Sequence, residues 1–209
     1  MKTILVTAYV PIAGHPRGVA EYGALGEKIG ILPVRKKAFY QQLDTCWMTK
    51  FLRGLSFTPN PSEGDNPEKN SLAYHIVNHQ KTTWLKEAAD ENPDADVVCW
   101  VDYGIFRLPG VSGADIISFI NSLDDKHIYA PGCWLPQVAI ESATPCWRFC
   151  GSVLSVPTKV VHDLDFECRN KARQHIQTTR NVEWEVNTWA RVEAGKRRLP
   201  WKWYKADHN

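Results

Sequence analysis

The chain has 209 residues, enough for one domain with a substantial core and few for two. Hydrophobic residues make up 44% and charged residues 23%, which excludes a wholly disordered chain. A formal net charge of +2 is too small to argue for a nucleic acid or a membrane surface as the main partner.

The N-terminal run MKTILVTAYVP is too short for the apolar part of a secretory signal. No run approaches the roughly 18 residues of a membrane-spanning helix, so the expectation is a soluble, cytoplasmic protein. Within that run TILVTAYV is β-branched and ends at Pro11, which suits a buried first strand. Next, RGVAEYGALGEKIGIL places Tyr22, Leu25 and Ile29 at helical spacing, against the cost of its glycines. The basic clusters Arg35-Lys36-Lys37 and, later, Lys196-Arg197-Arg198 read as solvated surface. From Ser56 to Asn70 proline, glycine, asparagine and acids concentrate into a long exposed loop, more than a linker between domains.

The strongest helix signal is SLAYHIVNHQKTTWLKEAADENP, with Leu72, Ile76, Val77, Trp84, Leu85 and Ala88 on one face, Ser71 as cap and Pro93 as stop. It runs directly into ADVVCWV, a continuous apolar stretch of the kind that is covered on both faces of a parallel sheet. A helix in GADIISFINSL follows, then strand-like HIYAPGCWL and RFCGSVLSVP, and a helix beginning near Pro157 or Thr158. Val186, Trp189 and Val192, three apart, predict a helix that Gly195 ends, and PWKWYKAD predicts a last strand. The alternation describes a single α/β domain over 1–209 with a mainly parallel central sheet flanked by helices.

Several chemistries are excluded by what is missing. GxGxxG and GxxxxGK[ST] are absent, as is GxSxG, so the ordinary dehydrogenase, the P-loop enzyme and the common α/β-hydrolase are unsupported. The six cysteines form no CxxC pair and read as reduced, mostly buried thiols. His75 and His79 lack the glutamate of HExxH. What remains is Asp102, a carboxylate at the end of the apolar strand, followed by Tyr103 and Gly104. In open α/β sheets ligands bind beyond the carboxyl ends of the strands, which makes this acid a candidate rather than a simple turn.

The stretches NPDADVVCWVDYG, RFCGSVLSVP and EWEVNTWARVE resemble the arrangement in GT-A type glycosyltransferases, and most closely the bacterial HtrL/YibB-like family. That family carries Trp-x-Asp-x-Gly after a lysine-bearing helix, matched here by Trp100, Asp102 and Gly104 after Lys81. The resemblance implies a nucleotide-sugar donor bound over the end of the first strand (Thr7, Ala8, Tyr9) and the Asp102–Tyr103–Gly104 turn. It implies transfer of the sugar to a hydroxyl acceptor, whether a glycan, a lipid-linked sugar or a modified base in DNA. It also implies Mn²⁺ or Mg²⁺ on the diphosphate, since a hard divalent cation suits carboxylate and phosphate oxygens. The usual Asp-x-Asp pattern has Gly104 in its last place here. Asp102 would then hold the metal with Asp207 or His208 from the chain end, or instead accept hydrogen bonds from the ribose.

An inverting transfer, the slightly preferred course, needs a general base, and Glu183 or Glu185 near the start of a late helix fits that part. First-turn acids are equally explained by the helix dipole. Lys81 and Arg148 would offset phosphate charge, and Gly151 would permit close backbone approach. Tyr9 either stacks on the base or packs in the core, and Trp134 or Trp147 would offer a surface for sugar. Two other readings stay open: a catalytically silent GT-A-like domain that binds nucleotide or carbohydrate, and a nucleic-acid module held by the basic clusters.

Overall fold

In the structure, a computed structural model, residues 1–13, 19–56, 58–59, 70–136, 139–141 and 144–206 are described. Most of the Ser56–Asn70 stretch, together with Asp207 and His208, lies outside the described residues.

The strands are β1 (Thr3–Tyr9), β2 (Arg35–Tyr40), β3 (Thr58–Pro59), β4 (Val97–Val101), β5 (Ile128–Gly132), β6 (Val153–Pro157), β7 (Asn181–Val182) and β8 (Trp201–Lys205). The helices are α1 (Val19–Gly30), α2 (Trp47–Leu52), α3 (Leu72–His79), α4 (Lys81–Glu91), α5 (Gly113–Ser122), α6 (Thr158–Thr179) and α7 (Glu185–Glu193). Six strands form one sheet in the order β2-β1-β4-β6-β5-β8, and β3 pairs with β7 in a small second ribbon.

The sheet is mixed. β2, β1 and β4 run parallel, as do β5 and β8, while β6 is antiparallel to both of its neighbours. This one reversed strand matters for the site, because it brings the start of β6 to the same edge as the ends of β1 and β4. Val101 pairs with Val153, and the Asp102 N–H donates to the Ser152 carbonyl at 2.9 Å.

Period-two alternation sorts the side chains of the central strands. Ile4, Val6, Val98 and Trp100 face α4, α6 and α7, where Trp84, Leu85, Val161, Leu164 and Trp189 cover them. Leu5, Val97, Cys99 and Val101 face α1 and α5 with Ile29, Ile116 and Ile120. Every residue of β4 is buried, which explains why its sequence shows no polar alternation. A third cluster, with Trp47, Met48, Ile76 and Ile176, fixes α2 and α3 against α6.

The helix expected over 71–93 is two helices. Gln80 stands between them: its backbone stays right-handed but its N–H bonds to the Val77 carbonyl three residues back at 3.1 Å, and its side chain accepts the Trp47 backbone N–H at 3.1 Å. The break sets Lys81 at the start of α4 instead of in mid-helix. The stretch Arg35–Tyr40, which reads as a basic surface cluster, is an edge strand whose alternate residues point to solvent. Charged side chains on an exposed edge discourage pairing with other chains.

Candidate functional site

The C-terminal ends of β1 and β4, the first residues before β6 and the inner face of α3 enclose a cleft of about 290 Å³. Its floor is Asp102. The carboxylate is held on one oxygen: Oδ1 accepts the Trp100 indole N–H at 2.7 Å and lies 3.2 Å from the Lys81 ammonium. The Trp100 ring is itself stacked on Trp84, with 5.5 Å between centroids and 10° between planes, so the donor is fixed by the core. Oδ2 has no hydrogen-bond partner among the described residues, and the side chain is 37% exposed. The geometry therefore immobilises one oxygen and presents the other to the cleft.

Lys81 explains how this is held. Its ammonium donates to the Gly151 carbonyl at 2.9 Å and to Glu185 Oε1 at 3.0 Å, and it forms an ion pair with Asp102 Oδ1, so three oxygens lie within 3.2 Å of it. A cation in the first turn of a helix opposes the helix dipole, and burial would lower its pKa. The Asp102 and Glu185 carboxylates outweigh both and hold Lys81 protonated well above the usual lysine range. For Glu185, burial would raise the pKa, but the Lys81 ammonium beside it brings the net shift below the ordinary carboxylate value. Gly151 is required here by space. A Cβ on it would stand 2.2 Å from Glu185 Oε1 and 3.1 Å from Lys81 Nζ.

Aromatic rings form the cleft wall. Tyr9 lies 5.1 Å from Tyr22 and 5.8 Å from Tyr103 between ring centroids, so it belongs to a cluster rather than to the core alone. The Tyr103 hydroxyl is 3.2 Å from that of Tyr40, and burial together with this contact pushes Tyr103 up to about 12. It also sits 2.0 Å from where a Cβ on Gly26 would be, so this glycine of α1 makes room for the tyrosine. Ala8, Gly104, Asn78 and Arg107 are among the other residues of the lining. Thr7 is one step inside, 2% exposed, and its hydroxyl has no partner among the described residues.

Of the residues singled out in the sequence, the structure brings together Ala8, Tyr9, Lys81, Asp102, Tyr103, Gly104, Gly151 and Glu185 around this cleft or just beneath it. Arg148 and Glu183 do not join them. Arg148 forms a two-pronged bond to Glu193, at 2.8 and 2.6 Å, and donates to the Trp134 carbonyl. Glu183 is 2% exposed and takes the Arg191 guanidinium on both oxygens, at 2.9 and 3.1 Å. Trp134 and Trp147 lie near Arg148 and do not line the cleft. The charges of the first basic cluster are spent locally: Arg35 on Asp94, Lys37 on Glu91, Lys36 on the Leu32 carbonyl. Arg197 pairs with Asp163 at 2.6 Å. All six cysteines are free thiols, four of them buried.

The sequence marks Tyr22 only as a helix-face residue and gives Asn78 and Arg107 no part in a site. Arg107 follows Gly104 by three residues, in a short 3₁₀ turn at Ile105–Arg107, and that spacing was the available signal. Among the described residues no three His, Cys, Asp or Glu side chains gather as a set of metal ligands.

No family model matches the chain, and no curated protein does. Among solved structures it is similar to a glycosyltransferase involved in the glycosylation of the major capsid of PBCV-1. The TM-score is 0.51 at 12% identity, over 99% of this chain and 82% of that one. It is also similar to the apo form of mouse xyloside xylosyltransferase 1, with a TM-score of 0.45 at 10% identity over 98% and 72% of the two chains. No argument rests on this second, weaker likeness. The first is a likeness of fold: the chain has a GT-A-like α/β architecture, with a mixed, mostly parallel six-stranded sheet flanked by helices. Among the described residues no helix is long and apolar enough to cross a membrane.

Proposed function

We propose that the chain is a glycosyltransferase that takes its sugar from a nucleoside diphosphate donor bound in the Asp102 cleft and passes it to a hydroxyl acceptor. The observation that carries this reading is the Asp102 carboxylate, fixed through Oδ1 at the end of a central strand with its other oxygen facing a tyrosine-walled cleft. Tyrosine rings on the cleft wall offer apolar surface against which a nucleobase can pack, and a free carboxylate oxygen suits a ribose hydroxyl. The GT-A-like fold supports the same placement, since ligands of such sheets bind beyond the strand ends. The narrower likeness to HtrL/YibB-like proteins rests on Lys81, Trp100, Asp102 and Gly104, and of these Lys81, Trp100 and Asp102 form one bonded unit.

In that unit Asp102 binds and orients the donor, and Lys81 orients Asp102. Glu185 balances the charge of Lys81 in the interior. Glu185 is 4% exposed and bonded to Lys81, so it reaches the cleft only through that lysine. A depressed, buried carboxylate is a weak proton acceptor, and Glu183 is committed to Arg191. The two acids as they stand lend no support to inversion.

A divalent cation, which the resemblance implies, fits the described residues poorly. One free carboxylate oxygen faces the cleft, its partner oxygen is already within 3.2 Å of an ammonium, and Gly104 brings no ligand. Asp207 and His208 lie outside the described residues, and no step here runs through a metal.

The test is a thermal-shift and transfer assay over UDP, GDP, CMP, dTDP and their sugar conjugates, with the wild type and Asp102→Ala. A selective rise in melting temperature is expected for one nucleotide family in the wild type. The same assay on Asp102→Ala should show that rise lost and an intact fold. Near-normal binding and turnover in the variant would remove the centre of the proposal. Gly104 favours one second reading, a silent domain that binds the nucleotide sugar without transfer. Binding with no release of sugar to any acceptor or to water would select it.

A further inference from the structure

A nucleoside diphosphate brings concentrated negative charge, and the cleft must offset it. Among the described residues that line the cleft, Lys81 and Arg107 are the cations. Lys81 already donates to Glu185 and the Gly151 carbonyl and is ion-paired with Asp102, and its side chain is 3% exposed. Arg107 differs in each respect. Its side chain is 35% exposed, and its ion partner Glu21 stands at 3.6 Å and is half exposed, a loose surface pair that exchanges at little cost.

The position of Arg107 is set by the same turn that carries Asp102. The Ile105 N–H bonds to the Asp102 carbonyl at 2.9 Å, the Arg107 N–H bonds to the Gly104 carbonyl at 3.0 Å, and Ile105 anchors the turn in the core. The guanidinium side chain then folds back over Gly104. A Cβ built on that glycine would be 3.6 Å from Arg107 Cδ and 3.8 Å from Nη1. In the resemblance, this is the place where a second acid would hold a metal. Here a planar cation with several N–H donors lies over a residue that has no side chain.

We propose that Arg107 binds the diphosphate of the donor directly and supplies the positive charge that a divalent cation would otherwise bring, so that donor binding does not require a metal. The inference rests on the nucleoside diphosphate reading of the cleft. The chemistry is that of a guanidinium fork on two phosphate oxygens, which a lysine does not reproduce. Asp102 then takes the ribose, and Arg107 the phosphates on the other side of Gly104.

The experiment is calorimetric titration of UDP, GDP, CDP and dTDP, and of the matching nucleosides, into wild type, Arg107→Gln and Arg107→Lys. Each is run in EDTA and again in Mg²⁺ or Mn²⁺, and melting curves verify the fold of each variant. The wild type should bind its preferred diphosphate in EDTA. Arg107→Gln should weaken that binding by roughly ten- to a hundredfold, the usual range for a lost charge-assisted bond. It should leave the parent nucleoside unaffected, and Arg107→Lys should recover only part of the loss. Binding that vanishes in EDTA and is untouched by Arg107→Gln would overturn the assignment while leaving the donor reading intact. Failure of every diphosphate to bind, with or without metal, would overturn the donor reading and the Arg107 assignment with it.

Discussion

Replacing Lys81 by methionine isolates the interaction on which the site depends. The substitution keeps most of the volume and removes the ammonium, leaving Glu185 buried with an uncompensated charge at 4% exposure. Breaking a buried ion pair from one side costs about 3–5 kcal/mol. For a domain of this size that lowers the melting temperature by roughly 6 to 20 °C at neutral pH. The pH dependence identifies the cause. In the wild type the folded-state pKa of Glu185 lies below its ordinary 4.5, so its contribution is present above that pH and is lost as the pH falls through the folded value. In Lys81→Met burial, the largest influence on Glu185, loses its main opponent and outweighs the smaller lowering by His79 and the Glu185 backbone N–H, so the folded pKa rises above 4.5 and the penalty vanishes in acid and grows toward neutrality. The gap in melting temperature between wild type and variant should therefore widen from pH 4 to pH 7, as read by circular dichroism. Adding Glu185→Leu to Lys81→Met should restore most of the stability, and nucleotide binding should stay lost because Asp102 has lost its partner. A gap under about 2 °C at pH 7, well below the range above, or one constant with pH, would refute the reasoning.

Two further outcomes follow from the same geometry. Gly26→Ala would place a Cβ 2.0 Å from the Tyr103 hydroxyl. The ring must swing away, so affinity for the nucleotide should fall about two- to tenfold, the worth of one aromatic contact. The melting temperature should hold, because alanine favours the helix; unchanged affinity by titration would place Tyr103 outside the binding surface. His75 is fully buried, and burial lowers its pKa from 6.5 to about 4. The unfolded chain then takes up a proton that the folded one refuses, so stability should drop by about 3 kcal/mol as the pH falls from 6.5 to 4. Urea titrations of wild type and His75→Gln should diverge over that window, and parallel curves would contradict the assignment.

The parts of the fold legible in the sequence were those written in local pattern. The unbroken apolar run of β4 declared a strand covered on both faces, and its end located Asp102. The parts that were not legible depend on partners far apart in the chain. Lys81 and Glu185 meet across 104 positions, and nothing in either neighbourhood announces the other. Glu183 and Arg148 have the look of site residues, yet each is taken up by an internal partner, Arg191 and Glu193. Composition shows that charges exist and not which ones cancel. The break at Gln80 was hidden because glutamine is a good helix former, and its reason is tertiary, a hydrogen bond to Trp47. β2 looks like charged surface in the sequence because an edge strand with Lys and Arg lacks the apolar face by which strands are recognised.

The buried pair of Lys81 and Glu185 also bears on whether the cleft has been kept for a task. Two ions taken from water pay a desolvation penalty that their attraction only about repays, and apolar side chains of similar volume would fill the space at least as stably. Stability alone therefore gives no reason for them. What apolar residues could not do is fix Asp102, since its Oδ1 would keep the Trp100 indole and lose its cation. Gly151 points the same way: it leaves room for this pair where a Cβ would collide with Glu185. The core around β4 thus accepts a costly pair, a lysine against a helix dipole and a glycine in a tight place. Each of these departures converges on the orientation of one carboxylate at the floor of the cleft.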